Sequence, residues 1–503
     1  MELAFQTNPL RFLRCSAQEV RYQEETAETI VPDSHPDIAS IADCYAGSIL
    51  RGKDCRDGSV IISGGIKGVI LYNPEDGSYP RRLEFYIPYT VKFENQALTE
   101  RSQVQCTTRI RSVDARMINS RKAMLRVNLG CEISAYDEME EPLYTLQSEC
   151  SELQTKLNAY SISLPLEFAE KSFVISDTLE LPAGRPPIAQ IYKTHCQLEL
   201  TDQKLVGNKG VFKGTINCKI LYLSNNQALY LWQQQLPFSQ YCEMQRDYDE
   251  ETLTVLPALT GYDLELEGTE DAKHVLLTAN VLAQCLVTGT QQLQLLEDAY
   301  CTRGTLQPVW KNYLMDSRLD RQTSLQTIRQ SVTGSLQEIL DTDVYLDYPK
   351  QERSNDQTRI LVPASMHVLG FDENGILSVC SGKGEAVQEF TLSDQADCRS
   401  NAIPTGEAFS SICAGGAEVR CSISLETTCY AKQQLRTLCG GTIDETSSMA
   451  PHPSVILRAA PKDAELWSIA KDCCSTTNAI RAANHLETDR LPDAAMLLIP
   501  VGS

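Results

Sequence analysis

Apolar residues fall on alternate positions through much of the chain. In "GVFKGTINCKILYL" (210–223), Phe212, Ile216, Cys218, Ile220 and Tyr222 alternate with Lys213, Thr215, Asn217 and Lys219. A period of two places the first set on one face of a strand and the second set in water. Related phrasing occurs earlier as "GSVIISGGIKGVILYNPEDG" (58–77), and both stretches carry Ile-Leu-Tyr, at 70–72 and 220–222. Asn-Pro-Glu-Asp-Gly follows the first and Ser-Asn-Asn the second, rich in residues that tolerate the angles of a tight reversal.

The repetition reaches further in both directions. "VPDSHPDIASI" (31–41) precedes the first copy and "LPAGRPPIAQI" (181–191) the second, so Pro32, Pro36, Ile38 and Ile41 recur as Pro182, Pro186, Ile188 and Ile191. "FYIPYTVKFEN" (85–95) matches "QLPFSQYCEM" (235–244), with Pro88 on Pro237 and Tyr89 on Phe238. Proline donates nothing to a sheet ladder, which predicts a strand start, an edge or a bulge there. Each copy closes on an apolar run, "AMLRVNLGCEIS" (123–134) and "HVLLTANVLAQCLV" (274–287).

A more divergent third copy is present in "TRILVPASMHVLGFDENGIL" (358–377) and "AEVRCSISLETTCY" (417–430), with "LQEILDTDVYL" (336–346) nearest to its entry. Strands of this kind with frequent turn signals predict a mainly β chain of tandem, sandwich-like modules over 15–145, 163–305 and 320–439. In this reading the recurring prolines and aromatics set turns and fill cores. The stretches 146–162 and 316–340 fit either a connecting helix or the first strand of the next module.

The end of the chain is spelled differently. "GGTIDETSSMAPHPS" (440–454) has the composition of a flexible linker. In 455–503, "VIL" and "MLLIP" read as strands. Leu466, Ile469 and Ala470 have helical spacing, and Ser475 or Thr476 can cap a second helix carrying Ala479, Ile480 and Ala483. The result is a small β-α-α-β module.

Charge and cysteines narrow the function. A formal net charge of −21 opposes binding to nucleic acid or an anionic membrane. No stretch reaches the roughly 18–20 apolar residues that insert across a bilayer. The N-terminal residues lack a basic start and an apolar core of a secretory signal, and nineteen scattered cysteines read as reduced thiols in a cytosol. "SGGIKG" (63–68) and "SGKGEA" (381–386) lack phosphate-loop spacing. The six histidines have no paired spacing, and Cys413, Cys421, Cys429 and Cys439 no Cys-x-x-Cys, which argues against zinc. His195 and Cys196 are neighbours on a strand and face opposite sides. No catalytic constellation, metal or cofactor is expected.

Two resemblances add to this. Leu466-Trp467-Ser468-Ile469-Ala470-Lys471, Asn484-His485-Leu486 and Leu498-Ile499-Pro500 resemble the LysM domain. That family binds glycans containing N-acetylglucosamine in a groove between the loop before the first helix and the loop before the last strand. The resemblance implies a binding site at Asp463, Glu465, Leu466, Trp467, Leu491, Pro492 and Asp493. Here the usual Gly-Asp-Thr reads Asp463-Ala464-Glu465 and Pro-Gly-Gln reads Pro492-Asp493-Ala494, which removes two glycines and adds negative charge.

The repeated module resembles the SPOCS domain of spore-forming Firmicutes, most closely over 180–244. SPOCS modules ending in LysM are similar to clostridial spore-coat morphogenetic proteins. This implies a non-enzymatic adaptor in the mother-cell cytosol at the forespore surface, with the coat's basement-layer ATPase as protein partner. An anchor for that contact is expected in exposed apolar groups near Leu466 and Trp467, the other reading being that Trp467 packs the small core of its module. The alternative is a peptidoglycan-binding LysM protein.

Overall fold

The computed structural model describes residues 1–147, 150–268, 272–354, 357–391, 396–444 and 453–501. Alternation builds the first unit. β1 (Phe5–Ile30), β2 (Ile38–Arg56), β3 (Ser59–Pro74), β4 (Arg81–Glu94), β5 (Gln103–Asn119) and β6 (Lys122–Leu146) form two antiparallel sheets, ordered β1-β6-β5 and β2-β3-β4. On β4 every second residue from Leu83 to Phe93 is buried, and β4 is an edge strand, one of the places expected for Pro88. The two inner faces meet in one core, with Ile62 and Phe93 from one sheet and Leu125 and Val127 from the other fully enclosed. Each such side chain contributes about 1.5–3 kcal/mol by leaving water.

The second unit holds β7 (Leu153–Glu180), β8 (Ile188–Ser224), β9 (Leu229–Tyr248), β10 (Thr252–Glu267) and β11 (His274–Cys301), with sheets β10-β11-β7 and β8-β9. β8 corresponds to β2 and β3 together. Its halves fold on one another, with Cys196 Sγ 3.6 Å from Cys218 Sγ and Asn217 donating to Glu199 at 2.8 Å. In the third unit, β12 (Thr305–Thr333), β17 (Ala396–Pro404), β18 (Phe409–Cys413) and β19 (Gly416–Asp444) form one sheet. β13 (Glu338–Leu346), β14 (Lys350–Ser354), β15 (Gln357–Phe371) and β16 (Leu377–Thr391) form the other. One arrangement thus occurs three times: a long first strand paired with the last, and a second sheet across the core.

The proline entries are explained by one bond made twice. The Tyr72 hydroxyl donates to the Pro36 carbonyl at 3.1 Å, and the Tyr222 hydroxyl to the Pro186 carbonyl at 3.2 Å. In both, the proline opens a turn, His35 N–H to Pro32 and Arg185 N–H to Pro182. The third unit has Gly370 where the tyrosine would stand, and a Cβ there would collide with the Glu338 carbonyl oxygen. "SGGIKG" lies within β3, where the Tyr89 and Tyr86 rings occupy the space beside Gly64 and Gly65.

The stretches 146–162 and 316–340, left open between helix and strand, belong mainly to β7 and β12. With β1, β6, β11 and β19 they extend beyond the sandwiches as three antiparallel two-stranded ribbons. These share a core including Leu10, Ile162, Leu295, Tyr313 and Leu435. The three units and their ribbons therefore close around one axis, each unit touching both others. The expected linker 440–454 is strand as far as Asp444, where the end of β19 hydrogen-bonds Met1 and Leu3. Its residues 445–452 lie outside the described residues.

The last unit is β20 (Val455–Ala460), α1 (Leu466–Asp472), α2 (Thr477–Asn484) and β21 (Ala495–Pro500), with β20 antiparallel to β21. Leu466, Ile469 and Ala470 are buried, and the Thr476 hydroxyl caps α2 by accepting from the Ala479 N–H at 3.0 Å. No helix among the described residues is long and apolar enough to cross a membrane.

Candidate functional site

The residues expected to form a groove in the last unit are brought together, though not as an open surface. The loops before α1 and before β21 are joined by backbone bonds, Asp463 N–H to the Leu491 carbonyl at 2.9 Å and Leu491 N–H to the Ala464 carbonyl at 3.0 Å. Asp463 adopts φ 62°, the left-handed region, which aspartate enters more readily than most side chains other than glycine. Leu466 is fully buried and Leu491 nearly so; both fill the unit's core. That corrects the expectation of an exposed apolar group at Leu466.

Trp467 and Glu465 are turned toward the second unit. The Trp467 indole N–H donates to Asp298 at 2.9 Å, and its ring meets Tyr300 edge-on at 5.0 Å. Lys471 closes on the same Asp298 carboxylate at 2.6 Å, while the Tyr300 hydroxyl donates to the Ser475 carbonyl at 2.8 Å. Burial raises the Asp298 pKa, yet Lys471 and Trp467 outweigh it and the carboxyl lies below its usual range. Glu465 pairs with Lys156 on β7 at 2.7 Å. The expected anchor thus holds the last unit to the paired ends of β7 and β11. Asp463, Pro492 and Asp493 remain exposed.

The densest electrostatic feature lies elsewhere, where the three units meet. Lys193 on β8 is only 2% exposed and contacts Asp341 and, at 2.6 Å, Asp343 of the third unit; Asp43 of the first lies 3.6 Å away. Lys219 reaches Asp341 at 2.5 Å and Asp343 at 3.2 Å. Lys219 was expected in water, on the polar face of its strand; that face is covered here by the third unit. Burial disfavours charge on Lys193, but Asp341, Asp343 and Asp43 outweigh it and raise its pKa well above the ordinary value. Asp343 is likewise held well below the carboxylate range by the two lysines despite burial.

These residues occupy corresponding positions of the three units. Asp43 is opposite Leu71, and Asp341 opposite Leu369, at the same step of equivalent strands. Lys193 follows Asp43 at the offset that separates the two proline entries. Val69, Lys219 and His367 correspond in the same way. Beside the charges, a cavity of about 280 Å³ is lined by Tyr45, His195 and Tyr345 among others, again one strand from each unit. The sequence carried a signal for this junction: equivalent positions spell Asp, Lys and Asp, complementary where copies would otherwise agree.

Among the described residues, no group of three or more His, Cys, Asp or Glu is arranged to hold a metal ion. Cys421 and Cys429 are buried in β19, and all nineteen cysteines are free thiols. Neither the curated proteins nor the solved structures include a match to this chain. Residues 187–259, which hold β8, β9, the first half of β10 and both junction lysines, match the family model described as SipL, SPOCS domain. Over that segment, the chain is similar to a SPOCS domain.

Proposed function

We propose that the protein is a non-enzymatic adaptor for spore-coat assembly, acting in the mother cell at the forespore surface and binding the coat's basement-layer ATPase. The observation that carries this reading is the similarity of 187–259 to the SipL SPOCS domain. The recurrence of the same two-sheet arrangement around one axis supports it, because similar units joined side by side present several surfaces to partners. The β-α-α-β order of the last unit, with its Leu466–Lys471 spelling, supports reading it as a LysM module. Since Leu466 and Trp467 are occupied within the chain, the partner contact of that module falls to the exposed rim of Asp463, Pro492 and Asp493.

The test is calorimetric titration of the full chain with the purified ATPase, alongside Asp463→Lys and Asp493→Lys. Saturable binding weakened at least tenfold by the two charge reversals is the expected result. Absence of binding to the ATPase, with saturable binding of N-acetylglucosamine oligomers, would replace this reading by the glycan one.

A further inference from the structure

The junction of the three units has a charge count that its contacts leave open. Three carboxylates, Asp43, Asp341 and Asp343, meet two ammonium groups, Lys193 and Lys219. The carboxylates and Lys193 are at most 2% exposed. An unbalanced charge this far from water is strongly disfavoured. The shortage also falls unevenly. Asp341 and Asp343 each contact both lysines, whereas Asp43 has Lys193 at 3.6 Å and His367 at 3.6 Å. Asp43 Oδ1 and His367 Nδ1 face each other across that gap, both buried and both without a hydrogen-bond partner among the described residues. One proton on the imidazole supplies the missing charge and the missing donor together.

We infer that the junction binds one dissociable proton, carried by His367, and that this proton fastens the third unit to the first. Four groups face His367: Asp43 from β2, Lys193 from β8, Asp343 directly opposite on β13, and the edge-on ring of Tyr345 at 5.7 Å. Lys193 alone opposes a further positive charge. His195 is the competing site, 3.4 Å from Asp343, but Asp343 already holds both lysines and His195 is the more exposed of the two, 23% against 11%. Burial works against an imidazolium at 367, Asp43 outweighs it, and the pKa is raised above the ordinary 6.5.

A group with a raised folded-state pKa gives stability that is fully present below its unfolded pKa and is lost as pH rises through the folded one. The three-unit assembly therefore tightens on mild acidification and loosens toward alkaline pH. Asp341 and Asp343, with lowered pKa values, keep their charge throughout that window.

Proton NMR of the full chain, labelled at histidine, reads the site directly. The His367 resonance is expected to titrate above pH 6.5, to be absent in His367→Gln, and to move down in Asp43→Asn. Urea unfolding adds the linkage. The wild-type ratio of folded to unfolded protein is expected to fall, as pH rises, by about tenfold for each unit by which the folded pKa exceeds 6.5, and His367→Gln to flatten that slope. A His367 resonance titrating at or below 6.5, an unchanged slope in His367→Gln, or a slope abolished by His195→Gln would each overturn the inference. If His367→Gln does not fold, the wild-type titration with the resonance assigned through Asp43→Asn decides it.

Discussion

Replacing Lys193 by methionine isolates the work done by the junction. Methionine keeps most of the volume of the stem and removes the charge, which leaves Asp43, Asp341 and Asp343 facing one another with Lys219 as the remaining ammonium. Removing one partner of a buried ion pair costs about 3–5 kcal/mol. That is a large share of the roughly 5–15 kcal/mol that holds an ordinary domain together. With a urea dependence of about 3 kcal/mol per molar, the midpoint of unfolding should fall by roughly 1–2 M. Trp232, 3% exposed in the core of the second unit, reports the transition by its fluorescence. The decisive variant is Lys193→Met combined with Asp341→Leu. It restores the balance of charge and exchanges an ion pair for apolar contact, so it should recover at least about 2 kcal/mol relative to Lys193→Met alone. A loss below about 1 kcal/mol in the single variant, or simple addition in the double, would refute the electrostatic argument.

Three further outcomes follow from the geometry. Trp467→Ala with Asp298→Ala removes a charge-assisted hydrogen bond and a ring pair, about 2–4 kcal/mol, and should free the last unit from the β7–β11 ribbon. Hydrogen exchange at the end of β11 would rise, and unchanged protection there would count against the docking. Gly64→Ala and Gly214→Ala each press a Cβ into a backbone carbonyl, Ile49 and Glu199 respectively, so both should lose about 1–3 kcal/mol or more in thermal unfolding, by similar amounts. Cys398 and Cys429 stand directly opposite on β17 and β19 with sulfurs 3.2 Å apart. Diamide should join them into a disulfide, slowly at neutral pH because burial raises both thiols, Cys398 to about 12, and faster as pH rises; peptide mapping that finds both fully alkylated would contradict this.

Alternation made β4 and residues 210–220 of β8 legible as strands, because half-buried strands repeat every two residues, whereas the fully buried run 220–224 that ends β8 breaks the period. The recurring prolines and Ile-Leu-Tyr were legible as architecture, and the paired bonds from Tyr72 and Tyr222 give the reason. The ribbon extensions were ambiguous since each contributes a few apolar residues, such as Tyr160, Ile162 and Leu164, to a core it shares with two others. Local spacing placed Trp467 on a helix but says nothing of Asp298, which lies far away in sequence. The junction was the least visible. Asp43, Lys193 and Asp341 are isolated charges on separate strands, and a period of two tells which face a residue takes, not what covers that face.

The charge pattern at the axis also constrains ancestry and engineering. Three identical chains around the same axis would set three like charges at one point, so an equal trimer of any one unit as now spelled would repel itself where this chain attracts. The units as now spelled attract at this point because they differ there. It follows that the units are not interchangeable parts. A shuffled or shortened chain would have to carry its aspartates and lysines to new positions before it could close again.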